Sequence, residues 1–261
     1  MRSWIGLSVM AVWVGSSVAC APPAPPVAQD TRPSGPVQWG YGREDGPAVW
    51  GDLSVDYDLC ATGTRQSPVD LRSVSAAEPE AFTFDYKDSA IELVNDGRTV
   101  RATYDPGSEV DIGGQRFGLR ELHFHAPSEH TVGGRSFPAE VHFGHQSSAG
   151  DLAVIAAFLD VGRHSDALAP VLDRLPTTID LPRAVLDNRL SAAAILGSVG
   201  EVMRYDGSLT KPPCTEGVRW FVLADAIAVD DAQIEQLRAV VYDNSRPVQP
   251  RNNRTIVSAR R

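Results

Sequence analysis

A mainly β (α+β) fold built on a mostly antiparallel sheet is what this sequence predicts, and three observations carry that expectation. Short segments of alternating or apolar character recur along the chain, Gly, Asp and Pro bound them, and helical stretches between them are few. Strands this frequent, with so little helix between, disfavour βαβ units.

Residues 1–19 stand apart from the fold. Met1-Arg2 is a short positive start, Trp4 to Val18 is mostly apolar, and Ser17-Val18-Ala19 is a small-residue cleavage pattern. That is a secretory signal peptide, too short for a comfortable membrane span. Cys20 follows at the junction, where a bacterial lipoprotein carries its lipidated cysteine. Ser17 is a weak residue for that signal, so a membrane tether through Cys20 and plain secretion with Cys20 removed both stay open. Either way the expectation is an exported protein, periplasmic or a cell-envelope lipoprotein, in a compartment where disulfides persist. Residues 20–36 hold Pro22, Pro23, Pro25, Pro26, Pro33 and Pro36, which favours an extended, semi-rigid tether. The folded domain is expected over 37–261, with packing from about Trp39 and no second linker after it.

Within that domain the pattern predicts strands over 83–86, 91–95, 100–104, 116–125, 139–145, 152–159 and 218–224. Helices are expected over 165–175, capped by Ser165, and over 231–241, capped by Asp230 or Asp231. Ser67-Pro68 and Pro212-Pro213 read as turns, each able to hold a cis bond.

The composition is that of an ordinary globular protein, 43% hydrophobic and 22% charged. A net charge of −9 argues against nucleic acid as a partner, whose backbone rewards basic patches. Of three cysteines, Cys20 is lipidated or removed, which leaves Cys60 and Cys214 as one pair or as two free buried thiols.

The chemistry lies in Glu121-Leu122-His123-Phe124-His125 and Glu140-Val141-His142. On a strand, Glu121, His123 and His125 share one face, while Leu122 and Phe124 turn into apolar packing. Beyond Gly133-Gly134 a second strand puts Glu140 and His142 on one face as well. Three neutral imidazoles around an open fourth position make a catalytic zinc site. Glu121 and Glu140 each stand two residues before a ligand and can take its second N–H. Ordinary surface or core histidines are the alternative, but five of the six histidines fall between positions 123 and 145.

Beyond these blocks come Trp39-Gly40-Tyr41, Gly46-Pro47 and Trp50, then Gln66-Ser67-Pro68-Val69-Asp70-Leu71. Later stand Gly207-Ser208-Leu209-Thr210-Lys211-Pro212-Pro213-Cys214-Thr215-Glu216 and Asn244-Ser245-Arg246-Pro247-Val248-Gln249-Pro250. Together, in this order and spacing, they resemble the α-class carbonic anhydrases from Trp39 to Arg254. The resemblance implies a single domain around a large twisted, mostly antiparallel sheet with a few short peripheral helices. It implies zinc held by His123, His125 and His142, and reversible hydration of carbon dioxide to bicarbonate and a proton by zinc-bound hydroxide. By position, Thr210 would accept a hydrogen bond from that hydroxide and Glu129 would orient Thr210. Glu140 would back the third ligand, and the Asn244 carbonyl would take the second N–H of His125. Val154, Leu209 and Trp220 match walls of the carbon dioxide pocket, and Cys60 and Cys214 match the disulfide of exported members. Such domains are monomers or homodimers.

Several positions depart from the family pattern. Arg98 stands where the fastest members carry a shuttle histidine, and arginine does not release a proton near neutral pH. Glu121 replaces a glutamine, Lys211 a small residue beside Thr210, and Gly144 a pocket-wall valine, while Arg101 occupies a usually neutral cleft position. His130 and His145 match structural positions, and His164 reads as a surface residue. Two other readings compete. His123-Phe124-His125 with Glu129 partly fits a cupin metal motif, whose second half has no clear counterpart. A non-catalytic, carbonic-anhydrase-like domain for zinc binding or adhesion would use the cleft that Arg98, Arg101 and Lys211 are expected to make cationic.

Overall fold

Alternation along two neighbouring strands builds both the core and the site above it, as the computed structural model of residues 30–72 and 74–260 shows. The expected leader, Cys20 and most of the tether lie outside these residues. Strands β1 to β5 are Ser75–Ala76, Phe82–Asp85, Ser89–Asn95, Val100–Tyr104 and Glu109–Ile112. Then come β6 (Gln115–His125), β7 (Ala139–Ser147), β8 (Leu152–Val161) and β9 (Arg183–Leu190). Last are β10 (Glu201–Ser208), β11 (Glu216–Leu223), β12 (Ile227–Val229) and β13 (Val257–Arg260).

They form one sheet in the order β1-β13-β10-β11-β8-β7-β6-β4-β3-β9, with β2, β5 and β12 at its margins. Pairing is antiparallel except at β1–β13, β8–β11 and β8–β12. Helices are short and peripheral: α1 (Trp50–Leu53), α2 (Leu59–Thr62), α3 (Ala169–Leu172), α4 (Ala192–Leu196) and α5 (Asp231–Val240). None is long and apolar enough to cross a membrane.

The main core lies on the sheet face that receives Leu122, Phe124, Val141 and Phe143, all fully buried. Burial of each such side chain stabilises the fold by roughly 1.5–3 kcal/mol. The same burial sets register, because a slip of one residue would turn all four into the opposite face. In the register adopted, His123 faces His142 directly and His125 faces Glu140.

The seven expected strands all form, with ends shifted by a residue or two. Segment 165–175 is helical only over Ala169–Leu172, because Ser165 caps a turn that α3 enters one residue before Pro170. Asp230 caps α5 in a reciprocal capping box with Gln233, and the helix ends at Val240. Ser67-Pro68 and Pro212-Pro213 are cis, and so is Ala126-Pro127, which had no sequence expectation. Pro33 and Gly35, inside the Pro-rich stretch, already hydrogen-bond to Ser54, Val55 and Asp56 ahead of Trp39.

Candidate metal centre

His123 and His125 leave β6 toward the face opposite the main core, and His142 leaves β7 beside them. Ring centroids are 5.2 Å apart for His123–His125, 5.1 Å for His123–His142 and 4.7 Å for His125–His142. One nitrogen of each lies within 4.8 Å of the other two, and all three residues are buried.

The tautomers follow from the acceptors around the rings. His125 Nδ1 is 2.9 Å from the carbonyl of Asn244, which can only accept, so Nδ1 carries the proton and Nε2 keeps a lone pair. His142 Nε2 is 2.8 Å from Glu140 Oε1, which leaves Nδ1 free. Glu121 Oε1 lies 3.0 Å from His123 Nδ1, off the line of a hydrogen bond, and favours the proton there. Burial pushes His125 well below its ordinary pKa and His142 down to about 4, and neighbouring imidazoles add to both shifts. His125 and His142 are therefore neutral donors across the physiological range. These residues fit a divalent cation of the zinc type: three imidazoles, each with its other nitrogen beside an oxygen.

A second cluster of His130, Glu140 and His142 is also close enough to hold a metal. Its atoms are already spoken for. Glu140 Oε1 takes both His130 Nδ1 (2.7 Å) and His142 Nε2 (2.8 Å), and Oε2 accepts the amides of Glu129 and His130. Burial opposes the charge of Glu140, but His130 and His142 outweigh it and hold its pKa well below the usual carboxylate range. This cluster is a hydrogen-bond network behind the triad.

Glu129 faces the triad. Its Oε2 is 3.5 Å from His125 Nε2, and neither atom has a hydrogen-bond partner. Two unpartnered buried polar atoms facing one another are costly unless something polar lies between them. Burial raises Glu129 to about 8, against the Thr210 hydroxyl and the Arg246 amide, which favour its anion. A cation at the imidazoles would favour the anion further. Thr210 is buried beside it, where the family resemblance would put it.

The expected wall residues gather on the same side. Trp220 pairs with Val154 across β11 and β8, and its ring lies 4.9 Å from that of His142. Leu209 packs against the same cluster, and Trp220 Nε1 donates to the Ser208 carbonyl two residues before Thr210. Lys211 follows at the turn, close enough for its charge to act on Glu121. Cys60 and Cys214 are joined in a disulfide. Arg98 sits 4.4 Å over the Trp39 ring and donates to its carbonyl, and exposed His164 pairs with Asp230.

Sequence reading missed two supports. Arg246 is fully buried, donates its amide to Glu129 Oε1, and sends its guanidinium to Gln66, Ser67 and Cys60. Tyr205 bonds His130 Nε2 at 2.6 Å and Ser67 Oγ at 2.9 Å. Arg246 stood inside a quoted motif and was the available signal; Tyr205 offered none.

Known proteins are similar to this chain in sequence and in fold. The family model described as eukaryotic-type carbonic anhydrase matches residues 45–260. A carbonic anhydrase of Nostoc sp. is 37% identical over 228 residues, covering 85% of this chain and 86% of that one. The α-carbonic anhydrase of Thermovibrio ammonificans, solved with the inhibitor sulfanilamide, superposes with a TM-score of 0.82 at 38% identity, over 85% of this chain and all of that one. Dioscorin complexed with ascorbate superposes at 0.80 with 27% identity, over 86% and 99%. With a family match over most of its length and relatives that align nearly end to end, this chain is an enzyme of the α-class carbonic anhydrase family.

Proposed function

We propose that the chain holds a zinc ion on His123 Nε2, His125 Nε2 and His142 Nδ1 and catalyses reversible hydration of carbon dioxide. The observation that carries this is the set of three buried imidazoles, each with its other nitrogen beside an oxygen of Glu121, Asn244 or Glu140. Bound there, zinc lowers the pKa of a coordinated water to about 7 and so supplies a nucleophile at neutral pH. The chain's part is orientation. Thr210 gives its hydroxyl proton to the Glu129 carboxylate, so its oxygen can only accept, and a lone pair of the nucleophile is aimed at the substrate. The Arg246 amide holds Glu129 in place for this. Val154, Leu209 and Trp220 offer carbon dioxide an apolar wall, and Lys211 places positive charge beside the bicarbonate product.

Proton export is the weak step in this reading. Arg98 cannot relay a proton and is held against Trp39. External buffer then carries the proton away. A leader over residues 1–19 followed by a Pro-rich tether supports export of the domain, free or anchored through Cys20.

Stopped-flow hydration with metal analysis tests the reading: the parent should contain zinc and turn over, and His123→Ala should lose both. Zinc without turnover would favour the binding-domain alternative, and a different metal would overturn the zinc assignment. The cupin reading falls with the fold, which is the carbonic anhydrase sheet and not a cupin barrel.

A further inference from the structure

We propose that Arg101 is a positioning residue that tempers the metal centre through Glu121; the inference rests on the zinc reading above. Arg101 lies on β4 directly opposite His123 of β6, and Thr103 lies opposite Glu121, so Arg101 reaches Glu121 on the diagonal. One carboxylate then touches two groups. Glu121 Oε2 is 3.4 Å from Arg101 Nε, and Oε1 is 3.0 Å from His123 Nδ1. From β7, Gly144 stands opposite Glu121 and presents no side chain. A Cβ there would lie 3.4 Å from Glu121 Cγ and 3.7 Å from its Oε1, so the glycine leaves the space beside the carboxylate to it. The remaining charged neighbour is Lys211, from the turn after β10.

The arrangement is cation, carboxylate, imidazole. A carboxylate behind a ligand makes the imidazole a stronger donor, which tightens metal holding and makes the coordinated water less acidic. A guanidinium on the far oxygen draws charge away and reduces both effects. Arg101 Nε is buried yet makes no aligned hydrogen bond. Its action is therefore that of a charge at short range and not of a directional clamp, so lysine can replace it. Arg101 and Glu121 should thus act in opposite senses on the metal.

The experiment compares the zinc-loaded parent with Glu121→Gln, Arg101→Gln, Arg101→Lys and the Glu121→Gln/Arg101→Gln double variant. Zinc loss to a chelator and the pH midpoint of hydration are both read. Glu121→Gln should release zinc roughly 10–100-fold faster and lower the midpoint. Arg101→Gln should slow zinc release and raise the midpoint, Arg101→Lys should restore the parent values, and Arg101→Gln should add nothing once Glu121 is gone. A parent that holds zinc and turns over, but whose Arg101→Gln variant is unchanged, shifts like Glu121→Gln, or shifts equally without Glu121, overturns this inference alone. A parent without zinc overturns the metal reading and this inference together.

Discussion

Thr210 and Arg98 make the sharpest claims about single residues. Thr210 is buried against Glu129, and its proposed task is to fix a hydrogen bond, not to hold metal. Thr210→Ala should therefore lower kcat for hydration by roughly 10²-fold with zinc content unchanged, as stopped-flow assay and metal analysis would show. Loss of zinc in parallel would reassign Thr210 to metal holding. Arg98 differs in kind, since arginine as a residue type is no proton relay near neutral pH. Arg98→His places a group that titrates near neutrality at the same point. Turnover in dilute buffer should rise in that variant, and the parent's dependence on buffer concentration should flatten. A parent already indifferent to buffer concentration would sink the account of proton export.

At the scale of the element, β7 carries the site on one face and its support on the other. Glu140 and His142 point to the triad, while Val141 and Phe143 are fully buried in the main core. Phe143→Ala should destabilise the fold by roughly 3–5 kcal/mol in denaturant titrations, through lost burial and a residual cavity. Zinc should also be released faster, because the adjacent His142 rides on that packing. His145 lies farther along the same strand. Its Nδ1 meets the Phe143 carbonyl at 2.8 Å, so Nδ1 carries the proton and Nε2 accepts the Tyr86 hydroxyl at 2.6 Å. Burial lowers its pKa to about 4. The unfolded chain takes up this proton near pH 6.5 and the folded protein only near 4. The stability His145 contributes is thus intact above 6.5 and falls away as the pH drops toward 4, by on the order of 3 kcal/mol. Urea titrations of metal-free parent and His145→Asn at pH 7 and pH 4.5 would read it: the drop between the two pH values should be smaller in the variant.

Across the whole molecule, one covalent link ties distant parts of the chain to the site. The Cys60–Cys214 disulfide closes a loop with a sequence separation of 154, which in the chain-entropy picture limits the unfolded state by about 5 kcal/mol. Gln66 donates to the Cys214 carbonyl, the Cys214 amide bonds the Lys211 carbonyl, and Arg246 joins Cys60 to Glu129. The segment bearing Thr210 is therefore pinned at Cys214, and at its other end Ser208 accepts the Ser67 amide and the Trp220 indole N–H. Replacing both cysteines by serine should lower the denaturant midpoint and reduce turnover, with reductant affecting the parent alike and the variant not at all. Unchanged turnover in a folded variant would separate the link from the site.

Much of this was legible because it is local. Spacing of two along a strand commits His123 and His125 to one face and Leu122 and Phe124 to the other, whatever the rest of the chain does. Capping by Asp230 and the turns at Ser67-Pro68 and Pro212-Pro213 are local in the same sense. Strands β1, β5, β9, β10, β12 and β13 had no sequence expectation; charged or turn-forming residues interrupt β9, β10 and β13, and β9 and β13 pair with partners far along the chain. Pairing also decided which cation meets Glu121, since Arg101 arrives only through the β4–β6 register. Arg246 reaches Glu129 across 117 residues, and Tyr205 reaches His130 across 75. The sequence by itself determined which side chains can donate to a metal and which face of the strand they occupy, because backbone alternation is a property of the chain. Only the tertiary structure decided which oxygens stand behind those imidazoles and which charges stand behind the oxygens, because long-range register brings those groups together.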